Sequence, residues 1–218
     1  MSDGLSRPAL SFSQRLLRWM SKAKRWVSTG QGVGLLWLGL VLLSLSGDSG
    51  RLWLRYERAL VLQGEYWRLL TAHLVHLDTH HLLLNAAGVA LIAVLFKDDY
   101  SWRGWLLIAL FSILAIDVAF VFWEPQILWY VGLSGVLHGA LAAGVVSWWQ
   151  YQQKRLSLGL SLLLVGKLVW EYRYGPTLAT GDLPVVVEAH RYGALGGLAA
   201  GLILWLQAHR QVAVKSRI

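Results

Sequence analysis

Hydrophobic and polar positions along the 218 residues fall into blocks. Six apolar runs, at about 32–46, 79–96, 102–123, 134–149, 156–170 and 185–206, are separated by short polar segments. About 20 predominantly apolar residues are needed for a helix to cross a bilayer, and most of the runs approach that length. Two are only about 15 residues long, enough where a helix end is buried in protein or the bilayer is locally thin. The pattern predicts an all-α, polytopic membrane protein: a bundle of six transmembrane helices over 31–208, a basic segment at 1–30 and a basic tail at 209–218. Residues 47–78 are the one long loop before the second helix, and no internal repeat is visible.

Composition sharpens this. Hydrophobic residues make up 56% of the chain and charged residues 15%, against about 25% charged in an average soluble domain. Mean hydropathy is +0.49. A soluble monomer and a disordered chain are both excluded. The absence of cysteine excludes disulfides, thiolate metal sites and a cysteine nucleophile. A net charge of +8 on so apolar a chain suits an anionic lipid surface, and no nucleic-acid partner is expected.

Charge also orients the bundle. With the N-terminus cytoplasmic, 13 Lys and Arg residues lie inside and five outside (Arg51, Arg55, Arg58, Arg68 and Arg173), as the positive-inside rule requires. Trp53, Trp67, Trp102, Trp105, Trp123, Trp129, Trp148, Trp149 and Trp205 sit near run ends, where an interfacial aromatic belt belongs. Residues 1–30 carry six basic residues against Asp3, and with Phe12, Leu16, Leu17, Trp19 and Met20 suit an amphipathic surface helix. A signal peptide is the alternative, but no small-residue cleavage site is clear, so the first run is read as a retained helix.

Polar groups inside the membrane are costly and mark candidate sites. Three clusters qualify. In Val131-Gly-Leu-Ser-Gly-Val-Leu-His-Gly139, Ser134 stands between Gly132 and Gly135 at the start of a run, beside free backbone N–H groups that can stabilise an oxyanion. Taken alone, it reads better as an N-cap. In Glu188-Ala-His-Arg-Tyr-Gly193, His190 precedes Gly193, Gly197 and Gly201, a period of four that allows close helix packing. In the histidine-rich stretch, His81 and Asn85 are i and i+4 on one helix face, and both can donate hydrogen bonds. Four histidines and Asp78 crowd residues 73–81, but no His-Glu-x-x-His occurs, so no metal is expected. His73 and His80 read as interfacial polar residues. In this topology the three clusters share a depth near the outer surface, the constellation a serine hydrolase needs.

These motifs resemble those of the rhomboid family of intramembrane serine proteases: Trp67-Arg68, His81-x-x-x-Asn85, Gly132-x-Ser134-Gly135 and Ala189-His190-x-x-Gly193-x-x-x-Gly197, in order, over about 32–206. The strings Val-Gly-Leu-Ser-Gly-Val-Leu-His-Gly and Val-Glu-Ala-His look like the rhombosortase branch. The resemblance implies Ser134 as nucleophile and His190 as general base, a dyad without an acid. It implies His81, Asn85 and the Ser134 N–H as oxyanion donors, and structural roles for His76 and Arg68. No cofactor is implied.

Two positions depart from the family pattern. His138 stands where rhomboids often carry an aromatic residue that stacks on the catalytic histidine. Its spacing from Ser134 also leaves it a second candidate base. Lys97-Asp98-Asp99 stands where many rhomboids carry Glu-x-Arg. Glu188 and Lys167 are candidate tuning residues, Glu188 reading as an interfacial carboxylate. Segments 123–132 and 172–184 are expected to flank the cavity mouth, the second as a gate.

The expected substrate of a rhombosortase is an exported membrane protein with a C-terminal tail of Gly-Gly, one membrane helix and basic residues. Cleavage would leave an acyl-enzyme open to water or to an amine. A bacterial inner membrane, with both termini cytoplasmic and the site facing the periplasm, is implied. The rival readings are an inactive rhomboid-like binding protein and a transporter. The inner halves of the runs are almost purely apolar, which counts against a transport path.

Overall fold

The computed structural model describes residues 32–150, 153–176 and 185–215. The basic segment at 1–30 and most of the expected gate, 177–184, lie outside the described residues. The elements are α1 (Gly32–Ser44), α2 (Gly47–Leu54), β1 (Tyr56–Glu57), α3 (Arg58–Leu62), α4 (Trp67–Thr71), α5 (Thr79–Phe96), α6 (Trp102–Phe122), β2 (Trp129–Tyr130), α7 (Ser134–Gln150), α8 (Lys154–Tyr174) and α9 (Glu188–Lys215).

The protein is a largely helical, multi-pass membrane protein. Helices α5 and α6 are long and apolar enough to cross a bilayer, and α1 with α2, which meet at a bend of 110°, would be a third span if the two are counted as one. Only 28% of the most apolar window of α5 or of α6 is buried in the bundle. Leu83, Val94 and Leu114 point outward from these helices, leaving apolar faces that lipid can cover.

Helix α7 is the hub. Its buried residues are almost all Gly, Ala, Val and Ser, so neighbouring backbones come close. Helix α9 packs along it, α6 lies against both, and α5 and α8 flank α7. A Cβ on Gly193 would run into the Gly135 backbone, and one on Gly197 into the Gly139 backbone. On the other side of α9, a Cβ on Gly196 would meet the Phe111 carbonyl of α6. The glycine period read from the sequence is thus the seam between α9 and α7.

The loop at 47–78 is a folded cap. It contains α2, α3 and α4, and β1 pairs antiparallel with β2 in the register Tyr56 to Tyr130 and Glu57 to Trp129. Tyr56, Ile116, Phe120, Ile127, Tyr130 and Ala189 form a buried cluster beneath it. Arg68 is buried and donates to the Leu52 and Arg55 carbonyls, each at 2.9 Å, and to Glu65 at 2.6 Å. One guanidinium thereby closes the C-terminal end of α2 onto α4. At the opposite end of the bundle, Asp99 accepts from Ser147 of α7 at 2.7 Å.

Element ends differ from the apolar runs in three places. The first helix stops at Ser44, before Gly47 with its positive φ of 62°. Helix α8 runs to Tyr174, beyond the run's end at 170, because Glu171 and Arg173 interrupt hydropathy without interrupting the helix. Helix α9 continues to Lys215 for the same reason.

Candidate active site

The chain enters α7 through Gly132, which has φ 123°. Its N–H donates to the Ala72 carbonyl at 2.9 Å, and the Tyr130 hydroxyl donates to its carbonyl at 2.5 Å. A Cβ here would sit 2.7 Å from His81 Cε1. Both backbone conformation and space therefore demand glycine. This turn sets Ser134 at the N-terminal end of α7, where helix N–H groups have no partner within the helix.

Helix α9 brings His190 to this point. Its Nε2 lies 2.9 Å from Ser134 Oγ, and its Nδ1 lies 2.9 Å from a carboxylate oxygen of Glu171 in α8. An ionised carboxylate only accepts hydrogen bonds, so Nδ1 carries the proton. Nε2 is then left as an acceptor facing the serine hydroxyl. Glu171 also pairs with Lys167, one turn earlier on α8. His190 and Glu171 are each 3% exposed.

His138 stacks on His190, ring centroids 4.1 Å apart at 17°. Its Nδ1 hydrogen-bonds to the Ser134 carbonyl of its own helix at 2.7 Å. That geometry puts His190, not His138, at the serine hydroxyl. Glu188 sits one turn from Arg191, 4.0 Å away, rather than at the imidazole.

From α5, Asp78 caps the helix by accepting the His81 N–H at 2.7 Å. The Leu77 N–H points at His81 Nδ1 over 3.5 Å, which leaves Nε2 to carry the proton. Asn85 Nδ2 donates to the His81 carbonyl at 2.9 Å and has a second N–H to offer. His81, Asn85, Ser134, His138, Lys167 and His190 all line one cavity of about 270 Å³, whose other walls include Leu84, Leu91, Ile92 and Leu141. A smaller recess bounded by Trp129, Val131 and Val186 opens beside Ser134.

The histidine-rich stretch is dispersed. His80 is exposed. His73, read from the sequence as interfacial, is instead fully buried; it lies 3.4 Å from Asp117 of α6 and packs edge-on against Tyr130. His76 packs edge-on against His81, with centroids 5.2 Å apart. Burial, then the neighbouring His81, lowers the His76 pKa to about 4.

Among the described residues, the one group of potential metal ligands is His138, Glu171 and His190, with ligand atoms within 4.8 Å of one another. Both His190 nitrogens already face hydrogen-bonding partners, and the Lys167 ammonium opposes a cation there.

Three residues escaped the sequence reading. Asp117 lies inside an apolar run. Glu124, after α6, accepts from Arg191, from Tyr192 at 2.7 Å and from Gln126 at 2.5 Å, and so ties down the start of α9. Glu171 is one position beyond the expected run. Its i, i+4 spacing from Lys167 was the available signal: two opposite charges on one face of a membrane helix.

A rhomboid-domain family model matches residues 63–207. The chain is 30% identical over 146 residues to RHOMBOID-like protein 7 of Arabidopsis thaliana, a match covering 64% of this chain and 43% of that protein. It is 31% identical over 153 residues to RHOMBOID-like protein 6, mitochondrial, of the same plant, covering 67% of this chain and 47% of the relative. The chain spans less than half the length of the curated relatives it matches.

Proposed function

The chain belongs to the rhomboid family, and from that premise we propose that it is an intramembrane serine endopeptidase in which Ser134 is the nucleophile and His190 the general base. The observation that carries this reading is the 2.9 Å contact between Ser134 Oγ and His190 Nε2 at the wall of a cavity shared with His81 and Asn85. Nucleophile and base within hydrogen-bond reach are the geometric requirement for acyl transfer.

His190 takes the hydroxyl proton as Oγ attacks the peptide carbonyl. The oxyanion is held by His81 Nε2–H, the free Asn85 N–H and the Ser134 backbone N–H, donors worth about 3–4 kcal/mol each in serine proteases. His190 then returns the proton to the leaving amine, and water or an amine resolves the acyl-enzyme. His138 serves as a stacking platform that orients the His190 ring.

The substrate we propose is an exported protein bearing a C-terminal Gly-Gly segment, a membrane helix and a basic cluster. Its support is the likeness of the Ser134 and His190 motifs to the rhombosortase branch. Six spans, α1 and α5–α9, would place both termini in the cytoplasm of a bacterial inner membrane and the site toward the periplasm. Support comes from the excess of Lys and Arg on the cytoplasmic side.

The test is co-expression with a reporter carrying such a tail, with the new C-terminus read by mass spectrometry. Wild type removes the tail. Ser134→Ala and His190→Ala lower the rate by roughly 10³-fold or more, and His138→Ala lowers it far less. Added mass at the new C-terminus identifies transfer rather than hydrolysis. Cleavage that survives Ser134→Ala would end the serine-protease reading, and an uncut reporter removes this substrate class.

A further inference from the structure

The family resemblance implies a two-residue centre, but α8 brings a third residue to it. We propose that Glu171 is a positioning carboxylate that completes a Ser134–His190–Glu171 triad, with Lys167 holding it in register. The proposal rests on the serine-protease reading above.

Glu171 occupies the one place from which a carboxylate can act through the base. It touches Nδ1 at 2.9 Å, while Nε2 of the same ring faces Ser134 Oγ at 2.9 Å. His138, His81, Lys167 and Glu188 also act electrostatically on His190 or stack against it, but Glu171 is the group at Nδ1. A carboxylate there selects the tautomer with its proton on Nδ1, the only neutral form that can accept the serine proton at Nε2.

Burial argues in the same direction. A carboxylate inside a membrane bundle is costly unless paired. Glu171 has its two oxygens on two different partners, Lys167 and His190. Its side chain turns inward from α8 although its carbonyl performs the ordinary end-of-helix task, accepting the Gly175 N–H at 3.0 Å. Helix α8 otherwise packs chiefly on α7 rather than on α9.

In the reaction the proton moves from Ser134 Oγ to His190 Nε2 as the Oγ–carbon bond forms. The proton on Nδ1 stays there, and the Glu171 carboxylate balances the imidazolium charge. When the carbon–nitrogen bond breaks, the Nε2 proton leaves with the amine. Glu171 exchanges no proton and is regenerated unchanged.

The test uses an alkyl fluorophosphonate, which reports the reactivity of Ser134 without a peptide substrate: an Oγ–phosphorus bond forms and fluoride leaves. Full-length protein in detergent is labelled over time, and the rate is separated into a maximal rate and a half-saturating concentration. Ser134→Ala supplies the blank. Glu171→Gln, nearly isosteric, lowers the maximal rate by on the order of 10²–10⁴-fold, as loss of the orienting carboxylate does in other serine proteases. The half-saturating concentration stays within about twofold of wild type, as expected when only an interaction of the reacting state is lost. Glu171→Asp, which keeps the charge, recovers at least about tenfold of that loss.

Equal maximal rates for wild type and Glu171→Gln overturn the triad and leave the two-residue centre standing. Equal losses in the Gln and Asp variants with a lowered melting temperature assign Glu171 to packing and also overturn it. Wild-type labelling abolished by a chelator and restored by zinc gives the cluster to a metal instead. No labelling of wild type overturns the protease reading and the triad with it.

Discussion

His76 presents two ring nitrogens that are buried without a hydrogen-bonding partner among the described residues, beside the His81 ring. Burial keeps the ring neutral, with a pKa of about 4. A histidine whose pKa is depressed by folding contributes stability that is intact above its ordinary pKa of about 6.5. That contribution is lost as the pH falls from about 6.5 toward 4, because the unfolded chain binds the proton first. The loss is on the order of 3 kcal/mol over that window. His76→Phe, which keeps a buried ring, is expected to flatten the acid limb of the melting-temperature profile by roughly 5–10 °C. Parallel curves for the two proteins would sink this account. Legibility at this scale follows the same physics. Ser134 and His190 stood out because each breaks an apolar run within a local motif. Asp117 did not, because a hydropathy window averages a single carboxylate away. Glu171 did not, because it falls just past the run's edge.

At the scale of elements, the seam between α7 and α9 is where sequence pattern and packing coincide. Gly193 and Gly197 leave no room for a methyl group against the α7 backbone, whereas Gly159 and Gly166 on α8 face open space. Gly197→Ala is expected to destabilise the bundle by about 1–3 kcal/mol and, by moving α9 off α7, to reduce reporter cleavage. Gly166→Ala is expected to leave cleavage unchanged and to stabilise slightly, by up to about 1 kcal/mol, because it removes a helix-interior glycine without a clash. Thermal unfolding and cleavage measured on both variants test this; equal behaviour would show that the seam is not held by close backbone contact. The period of four in the sequence announces such a seam but not its partner. Which helix accepts the stripe depends on the crossing of α9 with α7 and α6, and neither run specifies that crossing.

For the whole molecule, orientation is testable because the chain contains no cysteine. Asp48, in α2, and Asp98, after α5, are both exposed and lie at opposite ends of the proposed bundle. A membrane-impermeant maleimide is expected to label Asp48→Cys in intact cells and Asp98→Cys only after permeabilisation. The reverse pattern would invert the orientation, and equal labelling would contradict the proposed crossing between them. The sequence by itself determined that the long apolar stretches are helical, though not their ends or the short helices of 47–78, and that their surfaces suit lipid, because hydropathy is local and sums along a run. It also singled out the residues from which a serine–histidine site could be assembled, because a polar group in an apolar helix is conspicuous one helix at a time. Only the tertiary structure decided that His190 rather than His138 meets Ser134, that residues 47–78 fold into a cap fastened by Arg68, and that Glu171 faces Nδ1 of His190. Each of these depends on how helices distant in sequence cross and turn. A hydrogen bond is made or missed over a few tenths of an ångström, a scale to which residue spacing along the chain is blind.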